Sequence, residues 1–209
     1  MAASRTDTSA ARLAGLAGAV DHEQGPAAQR DRRRRILDAT LQLASKGGYD
    51  AVQMRAVAER ADVALGTLYR YFPSKIHLLV SALARELERI DDKLARTTIP
   101  GETQYERILF VLGRVTRAMQ REPMLTEAMT RAFMFADPSA AAEVNTVAKL
   151  MEDMFTRAMV GDDATVDDGA KARVIGDVWL SNLVAWVTRR ASANDVINHL
   201  ELAARLLLR

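Results

Sequence analysis

The 209-residue chain contains no cysteine. That excludes disulfides and thiolate metal sites, and it suits a reducing cytoplasm. Only five prolines occur, few breakers in a sequence rich in Ala, Leu, Arg and Met, all good helix formers. No segment alternates with the period of a strand, so the expected fold class is all-α. No apolar run approaches the ~20 residues needed to span a bilayer, so no membrane partner is expected. The mildly apolar stretch from Leu13 to Val20 is carried by Gly and Ala between arginines, unlike a signal peptide. There is no Gly-rich phosphate loop, no His-Glu-x-x-His and no acidic cluster at metal-ligand spacing. Of the three histidines, His22 falls in the tail, and His77 and His199 sit on predicted helices and read as surface or packing residues. An enzyme, a cofactor and a metal are therefore not expected.

The charge that is present is unevenly placed. Residues 29–75 hold ten Lys and Arg against five Asp and Glu, although the whole chain is only +2. The segments on either side are slightly acidic. A basic footprint on one segment of a near-neutral chain points to an anionic partner for that segment. Residues 1–28, rich in Ala, Gly, Ser and Thr, read as a flexible tail that buries too little to offset ordering.

The first helix is expected from Gln29 to Gly47-Gly48, with Ile36, Ala39, Thr40, Leu43 and Ala44 on its inward stripe. Two short helices follow, broken near Asp62 and Pro73. Asp62 falls where the turn needs a left-handed residue. Val57, Ala58, Val63 and Leu68 supply the apolar sides, and Thr67, Tyr69 and Arg70 are left facing out. This is the pattern of a helix-turn-helix, whose second helix lies in a DNA major groove. Ser74 is placed to cap a long fourth helix with Ile76, Leu79, Val80, Leu83, Leu87 and Ile90 on one face. Five more helices are expected at 104–121, 123–136, 138–160, 169–190 and 193–208, about nine in all. The domains are then 29–75 for the head and 76–209 for the body.

Within the head, side-chain chemistry suggests a division of labour. Arg55 is suited to forking onto a guanine edge or a phosphate, while Leu65 and Thr67 at the start of the second helix are short enough to meet base edges or a thymine methyl. Tyr69, Tyr71 and Lys75 would reach phosphates and fix the register, with Tyr71 equally readable as core. Gly66 and Arg70 are counted among the DNA-binding residues of the same helix. Four consecutive arginines, Arg32 to Arg35, oppose the helix dipole at the start of the first helix. Phosphate contact by some of them, Arg33 among them, stands beside the reading of a solvated charged face.

The run Gly66-Thr67-Leu68-Tyr69-Arg70-Tyr71-Phe72, with Ser74-Lys75 behind it, resembles the DNA-binding head of TetR-type transcriptional repressors. Ile76-His77 departs from that family, which usually has an acidic residue there. Thr126 to Ala132 and Asp177 to Leu183 resemble the narrower KstR-type group, repressors of cholesterol and steroid catabolism. The resemblance implies an all-helical dimer with an inducer in the C-terminal body. The implied inducer is a CoA thioester of a sterol side-chain degradation intermediate.

Read without the family, the body shows two features. The last two helices are apolar on more than one side, as an interface between two copies would require. Methionines and aromatics cluster between Phe110 and Phe155, which fits either plain core or an adaptable pocket. The pocket reading takes Met119, Leu125, Met129, Phe133, Trp179, Leu183 and Trp186 as lining, with Ser181 and Asn182 as orienting groups. Arg117, Arg121 and Arg131 are candidates for the phosphates of CoA. The expected protein is thus a cytoplasmic, homodimeric repressor of a pseudo-palindromic double-stranded operator, nucleoid-associated when bound and released by a bulky apolar effector. The alternatives are a regulator of the same fold responding to a drug or fatty acyl-CoA, and a helical lipid carrier without specific DNA binding.

Overall fold

The computed structural model describes residues 25–208. The expected flexible tail lies outside the described residues up to residue 24, as do Leu13 to Val20, His22 and Arg209. Among the described residues there are nine α-helices and no strand. In chain order they are α1 (Pro26–Ala51), α2 (Met54–Arg60), α3 (Leu65–Tyr71), α4 (Lys75–Ala95), α5 (Gln104–Gln120), α6 (Pro123–Met134), α7 (Ala141–Val160), α8 (Val166–Val187) and α9 (Ala193–Leu207). A 3-10 turn, Pro138–Ala140, precedes α7.

Helix ends follow local chemistry. α1 begins three residues before the expected Gln29 because Pro26 sits in its first turn, where a fixed φ helps and the missing N–H costs nothing. It kinks at Gly47 and Gly48, and Gly48 adopts φ 64°, a conformation open to glycine. α8 starts at Val166 rather than near Gly169, because Thr165 and Asp168 cap it reciprocally. It ends at Val187, earlier than the expected Arg190, where Arg189 takes φ 59° and Arg190 N–H turns back to Ala185 O at 2.8 Å. Ser74 caps α4, accepting from the amides of Ile76 and His77. His77 takes the place of the acidic residue usual there. Its Nδ1 lies 2.9 Å from Ser74 Oγ, and its Nε2 reaches Ser139 O at 3.1 Å. The substitution therefore ties the head's exit to the body's 3-10 turn.

α4 is buried on nearly every side at its N-terminal half, from His77 to Ala84. It packs on α1 toward the head and on α6 and α7 toward the body. α8 lies on α7 and α9, and α5 bridges α7 and α9. Trp179, Phe155, Met129 and Ile108 fill the centre. By contrast α4 and α5 approach each other only sparsely, and this loose seam leaves a cleft.

Reciprocal caps at α5, α8 and α9 hold Glu106, Asp168 and Asp195 below their ordinary carboxylate range. Backbone hydrogen bonds dominate for Glu106 and Asp195, and the Thr165 hydroxyl does so for Asp168. Groups with depressed folded pKa values contribute stability that is complete above the unfolded values and is lost as pH falls through the folded ones. The combined variant Glu106→Gln, Asp168→Asn, Asp195→Asn should therefore melt below wild type at neutral pH. That gap should close on the acid side of the carboxylate range. Melting curves with a gap independent of pH would contradict this role.

Candidate nucleic-acid interface and effector cleft

The turn between α2 and α3 is built as expected. Asp62 has φ 52°, and Val63 N–H reaches back to Ala58 O at 3.0 Å. Val57, Ala58 and Leu68 are buried beneath it. The arginine run proves divided. Arg35 donates to Ala61 O at 2.8 Å and to Asp62 O at 3.3 Å, so its cation sits on the carbonyls at the end of α2. Arg34 pairs with Asp31 at 2.5 Å, and Arg33 lies 5.2 Å over the Phe72 ring. Sequence reasoning missed the clamp by Arg35, because its partners are carbonyls 26 and 27 residues away.

On the outward side, Leu65, Gly66, Tyr69 and Arg70 are exposed on α3, Thr67 is half-buried, and Arg55 is exposed on α2. A Cβ added at Gly66 would meet nothing within 4 Å. Neither backbone conformation nor packing within the chain asks for glycine there, and glycine costs a helix up to about 1 kcal/mol relative to alanine. Tyr71 is half-buried against the core beside Phe72, ring centroids 6.4 Å apart.

Lys75 does not stand free beside them. Its ammonium lies 3.7 Å from the centroid of the Tyr49 ring, with Arg131 of α6 also over that ring at 4.3 Å. Burial lowers its pKa, and the Arg131 charge adds to this while Asp50 and Glu127 oppose it. Tyr49 N–H points to Glu127 at 3.4 Å, so this cluster seals α1 to α6. Arg131, one of the candidates for CoA phosphates, belongs to this seal rather than to the clefts described next.

Two clefts meet along Arg89, Ile90, Ala118 and Glu122. One, of about 370 Å³, has Met119, Leu125 and Met129 among its apolar lining. The other, of about 530 Å³, gathers Arg89, Lys93, Arg114, Arg117 and Arg121, with Glu122 as the single carboxylate. Arg89 is paired with Glu86, while among the described residues no carboxylate pairs with Lys93, Arg114, Arg117 or Arg121. An apolar recess continuous with an uncompensated basic one fits an amphiphile with an anionic end.

The other anticipated lining residues lie elsewhere. Trp179 is core, its Nε1–H donating to Thr116 Oγ1 at 3.0 Å. Leu183 is buried as well, and Phe133 and Trp186 are half-buried against the core. Asn182 donates to Val178 O at 2.8 Å and meets His199 Nδ1 at 2.9 Å, so its amide is already occupied, while Ser181 is exposed. On the outer side of α8 and α9, Val174, Leu202 and Leu206 stay exposed, Leu206 at 71%.

Residues 36–82 match the family described as bacterial regulatory proteins, tetR family, and residues 101–207 match the tetracyclin repressor-like C-terminal domain. The chain is 67% identical to the HTH-type transcriptional repressor KstR of Mycolicibacterium smegmatis over 188 residues, covering 90% of this chain and 92% of the relative. A TetR transcriptional regulator from Rhodococcus sp. RHA1 superimposes with a TM-score of 0.79 at 32% identity, covering 86% of this chain and 96% of that one. Thermus thermophilus FadR, solved in complex with lauroyl-CoA, shares the fold with a TM-score of 0.62 at 21% identity, over 84% of this chain and 93% of that one.

Proposed function

The chain belongs to the TetR family, as a transcriptional repressor of the KstR type and not an enzyme, and on that premise we propose how it reads DNA and what releases it. Two copies bind a pseudo-palindromic operator in the cytoplasm, each laying α3 into a major groove, with half-sites about one helical turn, ~34 Å, apart. Leu65, Gly66 and Thr67 approach base edges, and Arg55, Tyr69 and Arg70 reach bases or phosphates. Arg33 and Lys75 steady the head from Phe72 and Tyr49. The observation that carries this reading is Gly66, a helical glycine facing open space on a basic head. A Cβ-free surface there serves only a partner that comes close.

The effector is a CoA thioester of a steroid side-chain degradation intermediate. Its apolar part lies against Met119, Leu125 and Met129, and its phosphates on Lys93, Arg114, Arg117 and Arg121. The basic-to-apolar polarity of the joined clefts supports an acyl-CoA, and the steroid body follows from what the resemblance of Thr126 to Ala132 and Asp177 to Leu183 to KstR-type repressors implies. Binding favours a conformer whose heads no longer fit the operator, and affinity falls by the effector's differential binding to the two states.

Gel shifts on promoter fragments, with steroid acyl-CoA, fatty acyl-CoA or free CoA added, test both parts. Release by the steroid thioester alone is the expected result, and release by all three equally would remove the steroid assignment. Gly66→Ala gives a sharper test, because its two readouts move in opposite directions. Melting temperature should rise slightly through helix propensity. Operator affinity should fall about tenfold or more, roughly 1.4 kcal/mol per decade. An alanine variant that binds as tightly as wild type would place the groove contact elsewhere.

A further inference from the structure

One wall of the apolar cleft is the DNA-reading head itself. Leu41, Gln42, Ser45 and Lys46 of α1 line it opposite Met119, Leu125 and Met129. Gln42 on that wall also holds the helix-turn-helix: its Oε1 accepts from Arg60 Nε, in the last turn of α2, at 2.7 Å. A few turns earlier on the same helix, Arg35 clamps the carbonyls of Ala61 and Asp62. α1 is therefore at once a wall of the cleft and the support of the α2 end of the reading turn.

We infer that this cleft is a head-release site, where an amphiphile with a bulky apolar body acts on α1 directly rather than through the body alone. Its body fills the space between α1 and α6, and its anionic end rests on the basic recess of α4 and α5. Filling the recess beside Leu41 and Ser45 moves the wall that carries Gln42, and the Gln42–Arg60 contact is the first to part. α2 then loses a tether to α1, and α3 loses its fixed angle. The inference rests on the reading of the chain as an effector-released repressor, and adds the place where the effector acts and the contact it breaks.

The described residues hold no free cysteine and the whole chain has none, so Ser45→Cys provides a single thiol in the cleft. The variant is labelled either with methyl methanethiosulfonate, which adds a small group, or with pyrenyl maleimide, which adds a bulky apolar one. Operator affinity is read by fluorescence anisotropy, with circular dichroism to confirm that each adduct remains folded. The pyrenyl adduct should weaken operator binding by about 5–150-fold, the ordinary span of coupling between two sites, and speed amide exchange in α2. The methylthio adduct should change affinity less than about twofold on that scale. A folded pyrenyl adduct with wild-type affinity overturns the inference.

A second variant, Arg60→Met, removes the donor of the Gln42 contact and leaves the cleft lining unchanged and unlabelled. It should lower operator affinity and speed exchange in α2 without weakening acyl-CoA binding. Unchanged exchange in α2 would remove the proposed contact. Steroid acyl-CoA should also slow labelling of the introduced thiol. If the thioester releases the operator without slowing that labelling, the effector reading survives and the release site falls. If the pyrenyl adduct releases the operator and no acyl-CoA does, the release site survives and the effector reading falls.

Discussion

Leu206→Glu is expected to leave each protomer folded and to cost the repressor on the order of 10²–10⁴-fold in operator affinity. The side chain is 71% exposed, so a charge there disturbs little within one chain. In a dimer built on α8 and α9, however, the same charge enters an apolar interface beside Leu202 and Val174, both exposed in a single copy. Two heads joined in one particle make the second half-site an intramolecular encounter, and losing the partner forfeits that effective concentration. Sedimentation velocity of wild type and variant, run beside an operator titration, reads both consequences. A variant that sediments as a dimer and binds normally would show that the outer face of α9 is not the contact between copies.

Trp179→Ala should be the most damaging single substitution inside the body, at about 3–5 kcal/mol. The indole is almost fully buried, and its N–H is the partner of the buried Thr116 hydroxyl. Truncation leaves both a cavity and a hydroxyl without its donor. For a chain of this length the cost corresponds to a fall in melting temperature of roughly 6–20 °C. Trp179→Phe keeps most of the volume and should lose far less. If Trp179→Ala melted near wild type and instead abolished effector binding, the residue would be a pocket wall after all. Calorimetry with and without acyl-CoA separates the two.

That residue illustrates how far the sequence could be read. The sequence placed Trp179 among the apolar residues of α8, but not whether what faces it is protein or ligand. That depends on Thr116, 63 residues away. The helices and the left-handed Asp62 were legible because they follow from spacing and local backbone preference. The start of α8 was missed because its first turn, Val166 to Gly169, is acidic and ends on a glycine, a weak helix former, and so reads as loop. The basic recess was only half visible: Arg117 and Arg121 stood out, but Lys93 joins them only when α4 meets α5. Likewise nothing local distinguishes Arg35, bound to the end of α2, from its neighbours in the arginine run.

The kink at Gly48 has a consequence for how such a chain can be taken apart. A Cβ there would come 3.3 Å from Met124 Cε and 3.4 Å from a Glu127 carboxylate oxygen, so α1 and α6 are fitted to each other at the bend. With Tyr49 held between Lys75 and Arg131, the first helix of the head is part of the body's packing as well. A head cut away after Lys75 would carry an exposed apolar flank and two cations around an unsupported ring. The reading unit is therefore not an interchangeable module. A head grafted onto another repressor's body keeps its fold only if α6 of the recipient carries a matching surface opposite the bend.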